Sequence, residues 1–521
     1  MRRLVGASIL LTGSSLLGLA VNFATQAYLA FRFGTGAEMD AYVAATTLPA
    51  LLGAVFFSSL SVVFIPAYVE ALHQRGADAA WRVASNVLNV TALGLTAAVV
   101  VVLAFAGEIM HRIVPGLDPA AIQLSVQLLR WLLPATVLGS LSVVLAGIYQ
   151  SQERFWPTAL APLFGACILL GLSLALVPSL GIRGVAIASV AGSAAQLLWL
   201  SPVLRGARRY RLSLDLRDPA LRSIGALALP LIAGGMLYRA TIVADRLVAS
   251  WLPPGSLSHL EYGNRIAVVL NTLFASGIAA ALYPRMSARA AASDASRLCD
   301  TFVRGQRMLM FFLFPALAVG FALRAPLLQV FFERGEFTAR DTAAVAELLP
   351  WFLLAVAGGA LGMLQGRVYY VLKDTRTPVL LGLAETGTYF LYLPVLARHQ
   401  GAKGVAMAGA AHLITAMLVG FFVITRKLRP ARAQVLLLPA ARIAALAAGA
   451  GVAAWAAASV PRTALVSLLC GSLAGGLCYL GLLYLVRASE FPFITSLLEA
   501  EAEEPASAVT PPALAGGRDE P

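Results

Sequence analysis

Ionisable side chains stand inside long apolar runs of this sequence, where each needs a partner or a purpose. The run at 223–250 carries Arg239, Asp245 and Arg246, and the run at 260–284 carries Glu261 and Arg265. A charge in hydrocarbon costs about 2.5–3.5 kcal/mol on insertion scales, so each should face a cavity or a counter-charge. Arg239 and Arg246 are seven residues apart, two helical turns, and project from one face. One reading pairs Glu261 with Arg265 four residues on and lets Asp245 neutralise a neighbouring arginine. The other makes Arg239, Arg246 and Arg265 a cationic wall for a diphosphate, whose oxygens match the guanidinium fork. On the first apolar run, Ser15, Gly18, Asn22 and Gln26 share a helical face and offer an uncharged polar wall. Close helix packing accounts for Ser15 and Gly18 equally well. Glu385, with Thr386 and Thr388 nearby, and His412 are further polar points, readable as a protonatable or cation-binding site or as structural hydrogen bonding. The candidate residues are therefore Arg239, Arg246, Arg265, Asn22, Gln26 and Asp40 for a substrate, and Asp245, Glu385 and Thr388 for a coupling ion.

The elements that must position these groups are membrane-spanning helices. The chain is 59% hydrophobic and 12% charged with a mean hydropathy of +0.80, outside the range of soluble domains. A span needs roughly 20 mainly apolar residues. Fourteen such runs are predicted, near 5–31, 41–69, 84–107, 121–150, 156–178, 184–203, 223–250, 260–284, 305–323, 342–366, 377–397, 404–425, 436–460 and 463–486. The expected fold is all-α and polytopic.

The net charge of +13 would suit nucleic acid, but its placement argues otherwise. Alternate loops, beginning with the N-terminal side, hold 25 of the Lys and Arg residues, whereas the opposite side holds 9. That bias is the positive-inside signature of an inner-membrane protein with both ends in the cytoplasm. Cys167, Cys299, Cys470 and Cys478 are scattered, without disulfide or metal-ligand spacing. The opening Met1-Arg2-Arg3 has the flavour of a signal peptide, yet its apolar run continues to about residue 31 and reads as a retained helix. Residues 491–521, acidic and rich in Pro and Ala, are expected to be a disordered cytoplasmic tail.

Two stretches recur at an offset of 220 residues. Gly181-Ile-Arg-Gly-Val-Ala-Ile-Ala188 matches Gly401-Ala-Lys-Gly-Val-Ala-Met-Ala408, and Leu128-Leu129-Arg130-Trp131 matches Leu348-Leu349-Pro350-Trp351. Pro157 and Pro378 fall in nearly the same register. Spans 1–6 and 7–12 are thus expected to be parallel six-helix repeats, an N-terminal lobe at 1–210 and a C-terminal lobe at 211–430, with two extra helices at 431–490.

Catalytic signatures are sparse: there is no HExxH, GxSxG or Walker A motif, and four of the five histidines lie in or beside loops without spaced partners. Glu38-Met-Asp40 resembles the acidic motif of polytopic glycosyltransferases that use lipid-linked sugars. Those enzymes carry large external loops, whereas the external connections here reach at most about 20 residues. The expectation is a protein that is not an enzyme and needs no cofactor or resident metal.

Several pieces resemble the MviN/MurJ family of lipid II flippases, within the wider group of multidrug, oligosaccharidyl-lipid and polysaccharide exporters. They are Gly34-Thr-Gly-Ala-Glu-Met-Asp40-Ala-Tyr42 with Pro49, Phe64-Ile-Pro66 with Glu70, Val243-Ala-Asp245-Arg246, Tyr262-Gly-Asn-Arg265, Gly335-Glu-Phe337-Thr-Ala-Arg-Asp341 and Lys373-Asp374-Thr375-Arg376-Thr377-Pro378. The resemblance covers about 10–430 and agrees with fourteen spans. It implies that Arg265 contacts substrate, that Asp245 matches an acid linked to cation coupling, and that the last two helices seat a lipid tail. It also shows departures, because three cations typical of the family's first two helices are replaced by Ser15, Val21 with Asn22, and Gly53.

The expected function is a flippase moving a polyprenyl-diphosphate-linked saccharide, foremost lipid II, outward by alternating access, with Na+ or H+ coupling or the membrane potential as drive. Cell-envelope synthesis proteins are its expected partners. The alternatives are another lipid-linked oligosaccharide, a multidrug exporter, or a non-transporting scaffold.

Overall fold

The computed structural model describes residues 2–204, 210–215, 217–292, 294–374, 376–427, 434–460 and 463–486. Among them the chain forms helices α1 (Arg2–Phe33), α2 (Ala37–Arg75), α3 (Ala77–Ala104), α4 (Ala106–Ile113), α5 (Pro119–Ser151), α6 (Phe155–Leu180), α7 (Ile182–Leu200) and α8 (Pro219–Ser250). There follow α9 (Ser256–Asn271), α10 (Gly277–Ala291), α11 (Ala295–Ala322), α12 (Arg324–Phe331), α13 (Ala339–Val371), α14 (Arg376–Lys427), α15 (Gln434–Ala458) and α16 (Ala464–Leu485). A π-turn at Thr272–Ser276 joins α9 to α10, so the predicted eighth span is one rod with a wide turn in it. Ten described helices are long and apolar enough to cross a bilayer by length and composition. The predicted tail at 491–521 and most of the basic run at 205–211 lie outside the described residues.

Local chemistry sets the helix starts. Asp118 and Asp218 each precede a proline and cap the next helix, accepting from Ala120 N–H at 2.8 Å and Ala220 N–H at 2.9 Å. Thr338 and Asp341 form a reciprocal capping box on α13. Many large apolar side chains face outward, such as Leu198 at 69% and Leu473 at 66% exposure. A helix that is apolar all round is stable this way only where its surroundings are themselves apolar.

The sequence repeat recurs in the backbone. Gly181 has φ 60 and ψ −144, and Gly401, 220 residues on, has φ 56 and ψ −135. Both reverse the chain. In α14 the reversal brings Gly404 against the Leu396 carbonyl so closely that a Cβ would lie 2.0 Å from its oxygen, and Gly184 packs on Leu176 in the same way. α14 is therefore two arms folded at Gly401. The two described non-glycine residues with positive φ, Glu153 and Lys373, are also 220 apart. Packing follows the same plan. In the first half α2 packs on α5 and α1 on α6; in the second, α9 packs on α13 and α8 on α14. α15 and α16 pack on each other and on α11 through Phe311, Leu446, Ala450 and Tyr479.

Candidate functional site

The buried charges of α8 and α9 meet. Glu261 accepts from Arg246 at 2.6 Å and from Arg265 at 2.7 Å, so one carboxylate ties two guanidinium groups across two helices. The helical pair expected four residues apart is present, and Arg246 joins it. Arg246 and Glu261 have side-chain exposures of only 13% and 11%, whereas Arg265 keeps 43%. The cluster retains one net positive charge. The Nε–H groups of Arg246 and Arg265 are buried with no hydrogen-bond partner among the described residues. Buried donors are normally satisfied, so two unused ones on neighbouring cations are an invitation to an anion.

Asp245 takes a different partner from the one expected. It accepts from the Tyr389 hydroxyl of α14 and does not serve to neutralise an arginine through a direct ion pair among the described contacts. Arg239, expected beside Arg246 and Arg265, lines a separate cavity of about 100 Å³ with Glu385, Thr386 and His412. Glu385 lies 3.7 Å from His412 Nε2. The Thr388 hydroxyl donates to the Glu385 carbonyl on its own helix at 2.8 Å, a local bond.

Asn22 donates to the Gly18 carbonyl at 2.8 Å, with its side chain on an exposed face of α1, and Gln26 is half-buried one turn on. A largely apolar cavity of about 400 Å³ lies between α1, α9, α11 and α16, walled by Leu19, Phe23, Ile266, Leu323, Leu353 and Leu468 among others.

Asp40 is 2% exposed and sits in a seam between the halves, on the face that carries few basic residues, here the Arg-poor face. One carboxylate oxygen accepts from Gly255 N–H at 2.6 Å; the other accepts from Ser258 N–H at 2.8 Å and Ser258 Oγ at 2.6 Å. A residue of α2 thereby caps the first turn of α9. Around it, Tyr262 donates to the Gly34 carbonyl at 3.1 Å, Glu336 N–H to the Phe31 carbonyl at 2.9 Å, and Thr35 to Asp341. A Cβ on Gly335, whose φ is 60, would lie 2.2 Å from the Phe31 oxygen, so the two loops meet backbone to backbone. Three motifs quoted from the sequence, at 34–42, 262–265 and 335–341, thus converge on one closure. Ser258 and Gly255 are its unforeseen contributors, as Tyr389 is for Asp245, since nothing in their local spacing marks them.

Asp341 lies one residue ahead of the predicted tenth span. Burial works to raise its carboxyl, but hydrogen bonds from Thr35, from the Thr338 backbone and hydroxyl, and from His259 at 3.3 Å outweigh it and hold it below its ordinary value of 3.8. A carboxylate held low in the closed seam stabilises closure above its free value and loses that contribution as pH falls through the lowered one. Protection of the Thr338 amide against hydrogen exchange is therefore expected to fall below about pH 4. Asp341→Asn should already show the reduced protection at neutral pH and no further loss on acidification. At the opposite face Asp374 caps the first turn of α14 and accepts from Lys427 and Thr377, bonds that hold its carboxyl far below the usual range.

A twofold repeat of long apolar helices, closed at one face over a buried cationic cluster, defines a polytopic α-helical membrane transporter. A family model described as lipid II flippase MurJ matches residues 29–474, and the chain belongs to that family. It is accordingly a multi-span inner-membrane protein and a transporter, not an enzyme. A probable lipid II flippase MurJ of Vibrio cholerae is 26% identical over 425 residues, covering 78% of this chain and 80% of that protein. One of Bdellovibrio bacteriovorus is 27% identical over 425 residues, covering 79% and 80%. A solved structure of lipid II flippase MurJ in an inward closed conformation superposes with a TM-score of 0.77 at 20% identity, covering 96% of this chain and all of that one.

Proposed function

We propose that this chain moves lipid II from the Arg-rich, cytoplasmic face to the Arg-poor, external face by alternating access of two six-helix lobes at 1–210 and 211–430. Both termini lie in the cytoplasm on this reading. The observation that carries it is the Arg246–Glu261–Arg265 cluster, which has net positive charge and two unused buried donors. A diphosphate meets both needs, since its oxygens accept from guanidinium groups in pairs. Glu261 and Arg265 are on the first turns of α9 beyond Ser258, the residue gripped by Asp40. A diphosphate that draws Arg265 from Glu261 therefore acts on the same rod that closes the external seam. In this reading Asp40 is a latch and not a substrate ligand, whereas Asn22 and Gln26 of α1 face the saccharide. The apolar cavity between α1, α9, α11 and α16 is the entry for the lipid tail, continuing toward the helices at 431–490. Family membership supports lipid II ahead of other lipid-linked saccharides. A drug exporter selecting cations would gain nothing from this positive cluster.

The test is complementation of a strain depleted of its own lipid II flippase, at matched membrane expression. Wild type is expected to restore growth, and Arg265→Ala to lose it by at least tenfold in plating efficiency. Failure of well-expressed wild type, with lipid II accumulating inside, would point to a different lipid-linked saccharide. Rescue by Arg265→Ala equal to wild type would sink the role of the cluster and favour a scaffold.

A further inference from the structure

We infer that Glu385 and His412, on the two arms of α14, form a proton-binding pair that drives this transporter, with Arg239 and the Tyr389–Asp245 tie reading its charge; this deepens the transporter reading above and rests on it. The tautomer is fixed by geometry. His412 Nδ1 lies 3.1 Å from the Ala408 carbonyl, which accepts the Nδ1–H of neutral imidazole. Nε2 then carries the lone pair and lies 3.7 Å from Glu385 Oε1. A proton arriving on Glu385 can pass to Nε2, leaving carboxylate and imidazolium. The pair as a whole changes from one negative charge to neutral.

Two elements face that change. From α8, Arg239 lines the same cavity of about 100 Å³ and meets a net negative pair before proton gain and a neutral one after it. From the first arm of α14, the Tyr389 ring stands edge-on to the His412 ring at 4.8 Å, and its hydroxyl donates to Asp245 of α8. Tyr392, bonded to Thr415, lies one turn beyond on that arm. The other charges nearby are Arg246, Glu261 and Arg265, which are tied to one another. Proton gain thus weakens the hold of α14 on Arg239 and places an imidazolium against Tyr389, whose partner Asp245 lies with Arg239 on α8, the helix that carries Arg246. Charge on the pair is transmitted to the substrate cluster along one rigid element.

The donor set favours a proton over an alkali cation. Hard cations take shells of oxygen ligands. Here the carboxylate faces an imidazole nitrogen at 3.7 Å and shares its cavity with a guanidinium, neither of them a ligand for a hard cation, whereas a proton needs only Glu385 and Nε2. Access is built in. Glu385 also lines a cavity of about 580 Å³ with Asn264, Asn271, Gln365 and Tyr369, which runs toward the end of α13 at the Arg-rich face. With the Arg-poor seam shut, the pair exchanges its proton with that side.

The full-length protein in proteoliposomes containing lipid II tests this. An imposed proton gradient without Na+ is expected to accelerate wild-type translocation at least tenfold, and His412→Gln and Glu385→Gln to abolish the acceleration. Acceleration by a Na+ gradient at equal pH, or an unchanged response in His412→Gln, would overturn the proposal. A second readout does not depend on the substrate. With five histidines in the chain, the His412 ring signal is assigned by its loss in His412→Gln on labelled protein. Its titration is expected to change in Glu385→Gln, and an identical titration would refute the pair. Changed titration with no lipid II movement under any gradient would retain the proton site and reject the substrate.

Discussion

Truncating Glu261 to alanine is expected to destabilise the protein by about 3–5 kcal/mol, the range for removing one partner of a buried ion pair. The reason is the two-to-one arrangement of the cluster. Without the carboxylate, Arg246 has an exposure of 13% and two like charges remain across α8 and α9 with nothing between them. Thermal unfolding in detergent should show a lowered, less cooperative transition in Glu261→Ala. Adding Arg246→Met to that variant should recover at least half of the loss, because the orphaned buried cation disappears with it. A Glu261→Ala protein as stable as wild type would mean that the two arginines are served by water and that the cluster is not a structural tie. The same variant separates stability from binding. In the double variant Arg265 is still exposed enough to meet an anion, so recovery of fold without recovery of complementation would place Arg246 among the substrate contacts.

How far the sequence reveals such clusters depends on whether the partners are neighbours along a helix. Glu261 and Arg265 are four apart, and their pairing follows from the helical period alone. The repeat is legible for a similar reason: Gly181 and Gly401 must adopt a conformation that other residues rarely adopt, so the chain preserves glycine and its neighbours at the same register. What the sequence hides is contact across long separations. Asp245 is 144 residues from Tyr389, and Asp40 is 218 from Ser258, so no local pattern associates them. The three-arginine wall fails for a geometric cause. Arg239 and Arg246 are in register on α8, but α14 packs on that helix near Arg239 and α9 near Arg246, so the same face meets two different neighbours. Periodicity assigns a side to a residue, and only packing assigns it a partner.

The seam at the Arg-poor face makes the strongest demand on a single side chain. Asp40→Ala removes the acceptor for two backbone N–H groups and one hydroxyl in a place where Asp40 was 2% exposed. Bonds to a charged acceptor contribute about 1.5–3 kcal/mol each, and their loss leaves donors that find water only if the seam parts. The closed state is expected to lose about 3 kcal/mol relative to the open one, equivalent to roughly a hundredfold change in their ratio. Hydrogen exchange at Gly255 and Ser258 should accelerate by that factor in Asp40→Ala, with the amides of α11 and α16 unaffected. Transport should fall as well. Alternating access requires that one face be shut while the other is open, and a seam that leaks dissipates the gradient that drives the cycle. Asp40→Asn separates charge from shape, since the amide oxygen still accepts from one N–H while its NH2 opposes the other donors. Its exchange rates are expected to fall between wild type and alanine. Unchanged protection in Asp40→Ala would mean that the Gly34–Tyr262 and Phe31–Glu336 contacts hold the face closed without the carboxylate.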